Sequence, residues 1–246
     1  MALRRPRSKA RHGEGVASRR ILIVGAGGLG VPAAMALRRV GSCAVTLLDP
    51  DPVELSNLAR QVIYRAADLG SSKVEAAARW LADGAAEFAI EAHRCALDAS
   101  NALRMIGTCD FVIDATDNPC AKFLIYDTCI AARRPFVYAG VIGLTGQAMT
   151  VIPSTTACLR CLFEEPPDEG EIASCREAGI VGPVAGAIGE VAAAQALQWL
   201  RGERPALAGK ILSYDGAGRR IRVTPIEPRR GCRCGARTES GSIHVD

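Results

Sequence analysis

The chain has 246 residues, of which 49% are hydrophobic and 23% charged, a composition ordinary for a globular protein of one large domain or two small ones. The uncharged run at residues 21–37 is interrupted by glycines and a proline and is shorter than the ~20 apolar residues of a membrane-spanning helix. The net charge of +4 resides in residues 1–20, which carry +6 and leave −2 for the rest. We therefore expect a basic, disordered tail over residues 1–19 and no membrane or nucleic-acid partner.

Ten cysteines occur in a chain whose first 20 residues lack the apolar centre of a signal peptide. Cysteines in this setting indicate a reducing compartment, here the cytoplasm, and not a disulfide framework. Only three histidines are present, and two of them lie in the terminal segments. Catalysis by a Ser-His or Cys-His pair is therefore not expected.

Short apolar segments typical of strands alternate with longer periodic segments typical of helices through the first half of the chain. The predicted strands are 21–24, 44–48, 88–93, 111–113 and 135–139, and the predicted helices are 29–40, 73–81 and 121–132. This alternation predicts a Rossmann-like, doubly wound α/β fold with a mostly parallel sheet, which binds ligands at the carboxyl ends of its strands.

The second half of the chain has a different pattern. We predict a strand at 147–152, a loop at 164–182, a helix at 183–200, and a hairpin formed by 210–214 and 219–223. The late strands are expected to add to the sheet in antiparallel fashion. A single domain over residues 20–235, followed by a flexible tail at 236–246, accounts for these elements.

A glycine-rich turn, residues 25–30, follows the first predicted strand. Gly25, Gly27, Gly28 and Gly30 permit a tight turn and a close approach of phosphate or ribose to the start of a helix. Asp49 closes the next strand, where such folds place an acid that binds the ribose hydroxyls. This half of the pattern fits NAD, FAD, S-adenosylmethionine or ATP equally.

Arg60, Lys73 and Asp117 favour a triphosphate among these ligands. Arginine and lysine bind phosphate oxygens, Asn57 can donate an amide hydrogen bond nearby, and Asp117 is a hard oxygen ligand suited to Mg²⁺. Together these groups would position a triphosphate so that a carboxylate attacks the α-phosphorus and pyrophosphate leaves. The sequence therefore indicates an ATP-dependent adenylating enzyme.

These residues also carry a resemblance to a known family over residues 20–235. The shared segments are residues 25–30, 48–49, 53–61 (Val-Glu-Leu-Ser-Asn-Leu-Ala-Arg-Gln), 70–73, 116–118, 158–161, 175–179 and 209–210. The chain resembles the MoeB/ThiF/HesA family, bacterial relatives of ubiquitin-activating enzymes.

The resemblance implies a nucleotidyltransferase that adenylates the C-terminal glycine of a small β-grasp, ubiquitin-like sulfur-carrier protein ending in Gly-Gly. It also implies a homodimer. Residues implied to contact ATP are Gly28, Asp49, Ser56, Asn57, Arg60, Lys73, Asp117 and Asn118. Gly25, Gly27, Gly30 and Gln61 complete the candidate nucleotide-binding set, in which Arg60, Lys73 and Asp117 are the candidate catalytic residues.

Two features depart from the family pattern. Family members usually begin with an Arg-x-x-Arg-Gln stretch that reaches into the neighbouring subunit's ATP site, and residues 1–19 contain no such stretch. The family also pairs two Cys-x-x-Cys motifs, whereas this chain has Cys158-x-x-Cys161 and then Cys232-x-Cys234. Four thiolates in two close pairs nevertheless predict a tetrahedral Zn²⁺ site, with free or redox-active thiols as the alternative.

Cys175 lies in the predicted loop beside Arg176, which favours its thiolate form. In the resembling family, a cysteine here forms a covalent link to the carrier in some members and is dispensable in others, so both roles stay open. Two other functions also stay open: a degenerate, non-catalytic relative that acts as a binding scaffold, and an NAD- or FAD-dependent oxidoreductase.

Overall fold

A computed structural model describes residues 19–41, 43–83, 88–166 and 179–235. Its strands are β1 (Arg20–Val24), β2 (Ala44–Leu48), β3 (Ile90–His93), β4 (Phe111–Asp114), β5 (Phe136–Ile142), β6 (Thr145–Val151), β7 (Lys210–Asp215) and β8 (Arg220–Pro225). Its helices, numbered in chain order, are α1 (Gly30–Val40), α2 (Lys73–Ala82), α3 (Ala102–Gly107), α4 (Pro119–Ala131), α5 (Leu159–Leu162) and α6 (Gly182–Leu200).

The eight strands form one sheet in the order β3-β2-β1-β4-β5-β6-β7-β8. Strands β1 to β5 run parallel to one another, and β6, β7 and β8 are added in antiparallel fashion. The predicted Rossmann-like α/β fold is therefore confirmed, including the antiparallel strands from the second half of the chain. The chain adds β2 and β3 on one side of β1 and β4 and β5 on the other, so the strand order reverses between β1 and β4. The segments that follow β1, β2 and β4 therefore meet at one edge of the sheet.

Helices cover both faces of the sheet. Side chains of α1, α2 and α6 pack in one apolar cluster with Ile21, Ile23 and Leu47, and α3, α4 and α5 pack in a second cluster with Leu22, Val24 and other residues of the opposite face. The two clusters follow from the alternation of side chains along each buried strand. Two further turns of 3-10 helix, at Leu55–Asn57 and Ala66–Asp68, lie between β2 and α2.

Local sequence determines where the principal helices begin and end. Helix α1 ends at Gly41, which adopts a left-handed conformation (φ 66°) and donates its N–H to Leu37 O at 3.1 Å. Helix α4 begins after Asn118, whose side-chain oxygen accepts the N–H of Ala121 at 3.1 Å, and has Pro119 in its first turn. Among the described residues, no helix combines the length and apolar character needed to cross a membrane.

Candidate nucleotide site and four-cysteine cluster

The glycine-rich turn packs directly against the ends of the neighbouring strands. Gly25 has a φ of 105° and donates its N–H to the carbonyl oxygen of Leu48, at the end of β2, at 2.7 Å. A Cβ atom on Gly25 would lie 2.6 Å from the carbonyl oxygen of Ala115, just past β4. A side chain at this position is excluded both by the backbone conformation of Gly25 and by the backbone of Ala115.

Asp49, the residue that follows β2, is buried beneath this turn. One carboxylate oxygen accepts the N–H of Ala26 at 2.7 Å, and the other accepts the N–H of Asp51 at 2.8 Å. Burial raises the pKa of Asp49, and the positive charge of Lys73 and the two N–H donors offset only part of that rise. The carboxylate is therefore held in one orientation by the backbone on both sides of it.

Lys73 is the first residue of α2, and only 9% of its side chain is exposed. Its ammonium group lies 2.9 Å from a carboxylate oxygen of Asp51, whose own side chain is 57% exposed. The backbone N–H of Lys73 also donates to the carbonyl oxygen of Asp51 at 3.0 Å. Sequence reasoning missed Asp51 as the ionic partner, although it lies two residues past Asp49 in the segment that ends β2.

Residues 55–61, which carry the predicted phosphate ligand Arg60, fold as a 3-10 turn and the segment after it. Asn57 is buried, and its side-chain oxygen accepts the N–H of Glu54 at 3.0 Å. Arg60 is half-buried and donates from Nη1 to the carbonyl oxygen of Ser56 at 2.8 Å. A Cβ on Gly182 would lie 3.4 Å from Arg60, so the start of α6 packs against this arginine.

Gln61 completes the segment. It is buried, and its amide nitrogen lies beside the glycine turn: a Cβ built on Gly27 would be 3.6 Å from it. Its side-chain oxygen is also buried and accepts no hydrogen bond from any part of the chain that the structure describes. A buried amide oxygen in this state is suited to a donor supplied by a ligand.

Tyr64 joins three parts of the site. Its hydroxyl donates to the carbonyl oxygen of Ala26 at 2.8 Å and lies 3.2 Å from the carbonyl oxygen of Lys73. Burial raises the pKa of Tyr64, so the hydroxyl remains a hydrogen-bond donor at neutral pH. Sequence reasoning missed Tyr64 because a tyrosine in an irregular segment carries no local signal of its partners.

The segment after β4 reaches the same edge of the sheet. Asp117 is exposed and lies two residues past Ala115, whose carbonyl oxygen abuts the position of Gly25. Asn118 is exposed and its side-chain oxygen caps α4. The structure thus brings the glycine turn, Asp49, Lys73 and the 55–61 segment together, and it places the Asp117 segment beside the turn.

Four cysteines form a cluster on the opposite face, where α5 meets the chain after β8. The sulfur atoms of Cys158 and Cys161 lie 3.6 Å apart, those of Cys158 and Cys232 3.5 Å, and those of Cys161 and Cys234 3.8 Å. All four lie within 4.8 Å of one another. The shortened Cys232-x-Cys234 spacing therefore still brings both of its thiols to the first pair.

The thiols of the cluster differ in acidity: burial raises the pKa of Cys158 far above its ordinary value, whereas the pKa of Cys232 is lowered. Burial raises the pKa of Cys232, but hydrogen bonds from the backbone N–H of Cys234 and from neighbouring thiols outweigh burial and bring the pKa to about 7. The N–H of Arg229 points to Cys161 Sγ at 3.3 Å, and the hydroxyl of Tyr126 lies 3.1 Å from Cys158 Sγ. Cys175 and the basic residues of the first 18 positions lie outside the described residues.

The fold and this edge of the sheet define a Rossmann-type α/β protein with a glycine turn after its first strand. Residues 8–236 match the ThiF family, and the chain belongs to that family. The resemblance inferred from the sequence is therefore confirmed.

Several curated proteins are similar to the chain over most of its length. It is 35% identical over 210 residues to the adenylyltransferase and sulfurtransferase MOCS3 of Anopheles gambiae, covering 85% of this chain and 48% of that protein. It is 36% identical over 219 residues to the sulfur carrier protein adenylyltransferase of Thermus thermophilus, covering 87% and 80% of the two chains. The SAMP-activating enzyme E1 of Haloferax volcanii is 35% identical over 215 residues, with 87% and 79% covered. The chain spans about half the length of the MOCS3 proteins that it matches.

Solved structures share the fold at lower identity. The crystal structure of E. coli MccB with ATP superposes with a TM-score of 0.78 at 19% identity, covering 90% of this chain and 68% of that one. The structure of PaaA superposes with a TM-score of 0.71 at 23% identity, covering 86% and 65%. These likenesses concern the fold alone.

Proposed function

We propose that the chain is an ATP-dependent adenylyltransferase that activates the C-terminal glycine carboxylate of a small ubiquitin-like sulfur-carrier protein and releases pyrophosphate. The observation that carries this proposal is the placement of Lys73. A nearly buried lysine begins a helix beside a glycine turn and a buried aspartate, where its charge would bind the phosphates of a nucleotide. The names of the relatives from Thermus and Haloferax support the same reaction.

In this proposal each group of the site has one task. Asp49 accepts hydrogen bonds from the ribose hydroxyls, and the glycine turn admits the nucleotide close to its backbone. Arg60 and Lys73 bind the phosphates, with Asn57 and Gln61 offering amide groups beside them. The charge on the α-phosphoryl oxygens rises as the carrier carboxylate attacks, and the two cations stabilise that charge as pyrophosphate departs.

An adenylyltransferase of this class uses Mg²⁺ with its ATP. We assign Asp117 as the carboxylate ligand, since it is exposed three residues past the end of β4, in the segment beside the glycine turn. The ion would neutralise phosphate charge, and the chain's own contribution is to hold this carboxylate at the polyphosphate end of the site.

The four-cysteine cluster fits Zn²⁺. Zinc–sulfur bonds of ~2.3 Å in a tetrahedron place neighbouring sulfur atoms about 3.8 Å apart. Three of the sulfur pairs measure 3.5, 3.6 and 3.8 Å. The site would therefore accept zinc with little movement, and would tie the chain after β8 to α5.

Further expectations of the family belong to the same proposal. We propose a homodimer, a cytoplasmic location and a possible covalent role of Cys175 toward the carrier as expectations from the resemblance. A non-catalytic scaffold, which would bind ATP without exchanging pyrophosphate, is the second candidate.

The proposal is tested by carrier-dependent exchange of labelled pyrophosphate into ATP. Lys73→Ala and Arg60→Ala should each lower the exchange rate by about 10²-fold, the usual effect of removing one charge-stabilising group. Arg65→Ala is the matched control, because Arg65 is an exposed arginine of the same region. Exchange in Lys73→Ala at the wild-type rate contradicts the assigned role, and ATP binding without any exchange in the wild type favours the scaffold.

A further inference from the structure

Lys122 and Asp114 form a buried ion pair under the nucleotide site. The ammonium of Lys122 lies 3.2 and 3.3 Å from the two carboxylate oxygens of Asp114 and donates to the carbonyl oxygen of Ala139 at 2.7 Å. Only 12% of the lysine side chain and 1% of the aspartate side chain are exposed. The ammonium also lies 4.8 Å from the centre of the Tyr138 ring. A buried pair of this kind is retained at a cost in desolvation, which invites a functional reason.

The position of Asp114 suggests what the buried ion pair does. Asp114 is the last residue of β4 and is paired with Val24, the residue directly before the glycine turn. Parallel strands lie ~4.8 Å apart, so the backbone of Asp114 lies one strand spacing from the residue that enters the turn.

Asp114 also fixes the segment that follows it. One of its oxygens accepts the backbone N–H of Thr116 at 3.0 Å and the Thr116 hydroxyl at 2.7 Å. Thr116 is the residue before Asp117, so these bonds set the direction in which the chain leaves β4. The lysine holds the carboxylate in place, because its ammonium group reaches both carboxylate oxygens and the carbonyl oxygen of Ala139.

We propose that Lys122 is a positioning residue: through Asp114 and Thr116 it orients the segment that presents Asp117 to the metal ion bound with ATP. The inference rests on the proposed function, since it assumes that Asp117 binds Mg²⁺. It adds a residue of α4 that contacts neither nucleotide nor metal in this arrangement. In known metal sites, removing a residue that orients a metal ligand without contacting the metal weakens metal binding by roughly 10- to 100-fold.

The test measures the Mg²⁺ concentration that gives half-maximal pyrophosphate exchange, together with the affinities for ATP·Mg²⁺ and for adenosine. In Lys122→Met the Mg²⁺ requirement should rise about tenfold and ATP·Mg²⁺ affinity should fall, while adenosine affinity stays within about twofold. Lys122→Arg keeps a cation that can pair with the carboxylate, so it should restore much of the wild-type Mg²⁺ requirement. Arg39→Met, which removes the exposed ion pair with Glu190, is the control and should change none of these values.

A second variant keeps the test decisive if Lys122→Met does not fold. Thr116→Val leaves the ion pair intact and removes the hydroxyl bond to Asp114, and it should raise the Mg²⁺ requirement by about threefold to tenfold. An unchanged Mg²⁺ requirement in folded Lys122→Met or in Thr116→Val overturns the inference, as does an equal loss of adenosine and ATP affinity. Failure of the wild type to exchange pyrophosphate would instead count against the proposed function.

Discussion

The hydroxyl of Tyr64 donates to the carbonyl oxygen of Ala26 at 2.8 Å and thereby fastens the segment before α2 to the glycine turn. Because the ring is buried and the hydroxyl also lies near the carbonyl oxygen of Lys73, one side chain holds both the turn and the start of the helix that carries the lysine. The phosphate-binding groups of the site are thus held together by a residue that contacts none of the ligand in our proposal.

Tyr64→Phe tests this connection. The ring still fills its place, but the carbonyl oxygen of Ala26 loses its donor, so the free energy of unfolding should fall by about 1–2 kcal/mol. ATP affinity should fall by a few fold, because the turn and α2 are less firmly fixed relative to each other. Denaturant unfolding and calorimetric titration with ATP measure the two effects. Tyr214→Phe in β7 serves as the control, and a Tyr64→Phe protein as stable as that control contradicts the role assigned to the hydroxyl.

Asp49 should give nucleotide binding a characteristic dependence on pH. Since burial raises the pKa of Asp49, its carboxylate takes up a proton at a higher pH than an ordinary aspartate, whose pKa is about 3.9. The protonated group accepts hydrogen bonds from ribose poorly, so affinity should fall as the pH falls through the raised pKa. Adenosine is the preferred probe, because it has no phosphate of its own to titrate. Adenosine affinity that stays constant down to about pH 4 would rule out this assignment.

The raised pKa of Asp49 affects folding stability in the opposite direction: lower pH weakens nucleotide binding but favours the folded state. A carboxyl group with a raised pKa in the folded state binds its proton more tightly there than in the unfolded chain. The contribution of Asp49 to the free energy of unfolding is therefore greatest at low pH and declines as the pH rises through the folded-state pKa. Asp49 thus opposes folding in the ionised form that the proposed function requires, which is a common feature of binding sites.

Gly25 and Gly27 should respond differently to alanine. At Gly25, with a φ of 105°, a new Cβ would lie 2.6 Å from the carbonyl oxygen of Ala115, so Gly25→Ala must displace backbone and should cost about 1–3 kcal/mol or more. At Gly27 the nearest atom to a new Cβ is 3.6 Å away, an ordinary contact with Gln61. Thermal unfolding of both variants makes the comparison. Equal losses of stability would mean that the close approach to Ala115 does not make alanine more costly at Gly25 than at Gly27.

The sequence predicts most of the fold because the buried strands are short apolar runs between turn residues. The predicted boundaries of β2, residues 44–48, match the structure, and the other strands are found within a few residues of their predicted limits. Helices α3 and α5 were not predicted, since six and four residues are too few for helical periodicity to be visible. The predicted loop at 164–182 falls largely on residues 167–178, outside the described residues.

The candidate site is predictable to the extent that its residues lie at strand ends. Asp49 follows β2 and the glycine turn follows β1, so the doubly wound topology alone brings them to one edge. Asp51, Tyr64 and Lys122 act through partners that lie on other elements of the fold. Their roles depend on how the strands and helices are positioned relative to one another, which no local sequence pattern predicts.

Zinc in the four-cysteine cluster should stabilise the fold. The purified chain should hold about one zinc ion, and Cys232→Ser should hold less than half of that, because a tetrahedral site needs all four thiolates for full affinity. Removal of the ion with a chelator should lower the melting temperature by roughly 2–4 °C for each kcal/mol of stabilisation lost, measured by calorimetry with metal analysis of the same sample. Cys120→Ser, which changes an exposed cysteine outside the cluster, should keep both the zinc and the melting temperature of the wild type. If the wild-type chain binds no zinc under reducing conditions, or if chelation leaves its melting temperature unchanged, the cluster holds no structural metal. The chain after β8 is then held by its other contacts, which include the packing of Ile226 and the hydrogen bond from the N–H of Ser154 to the carbonyl oxygen of Cys234.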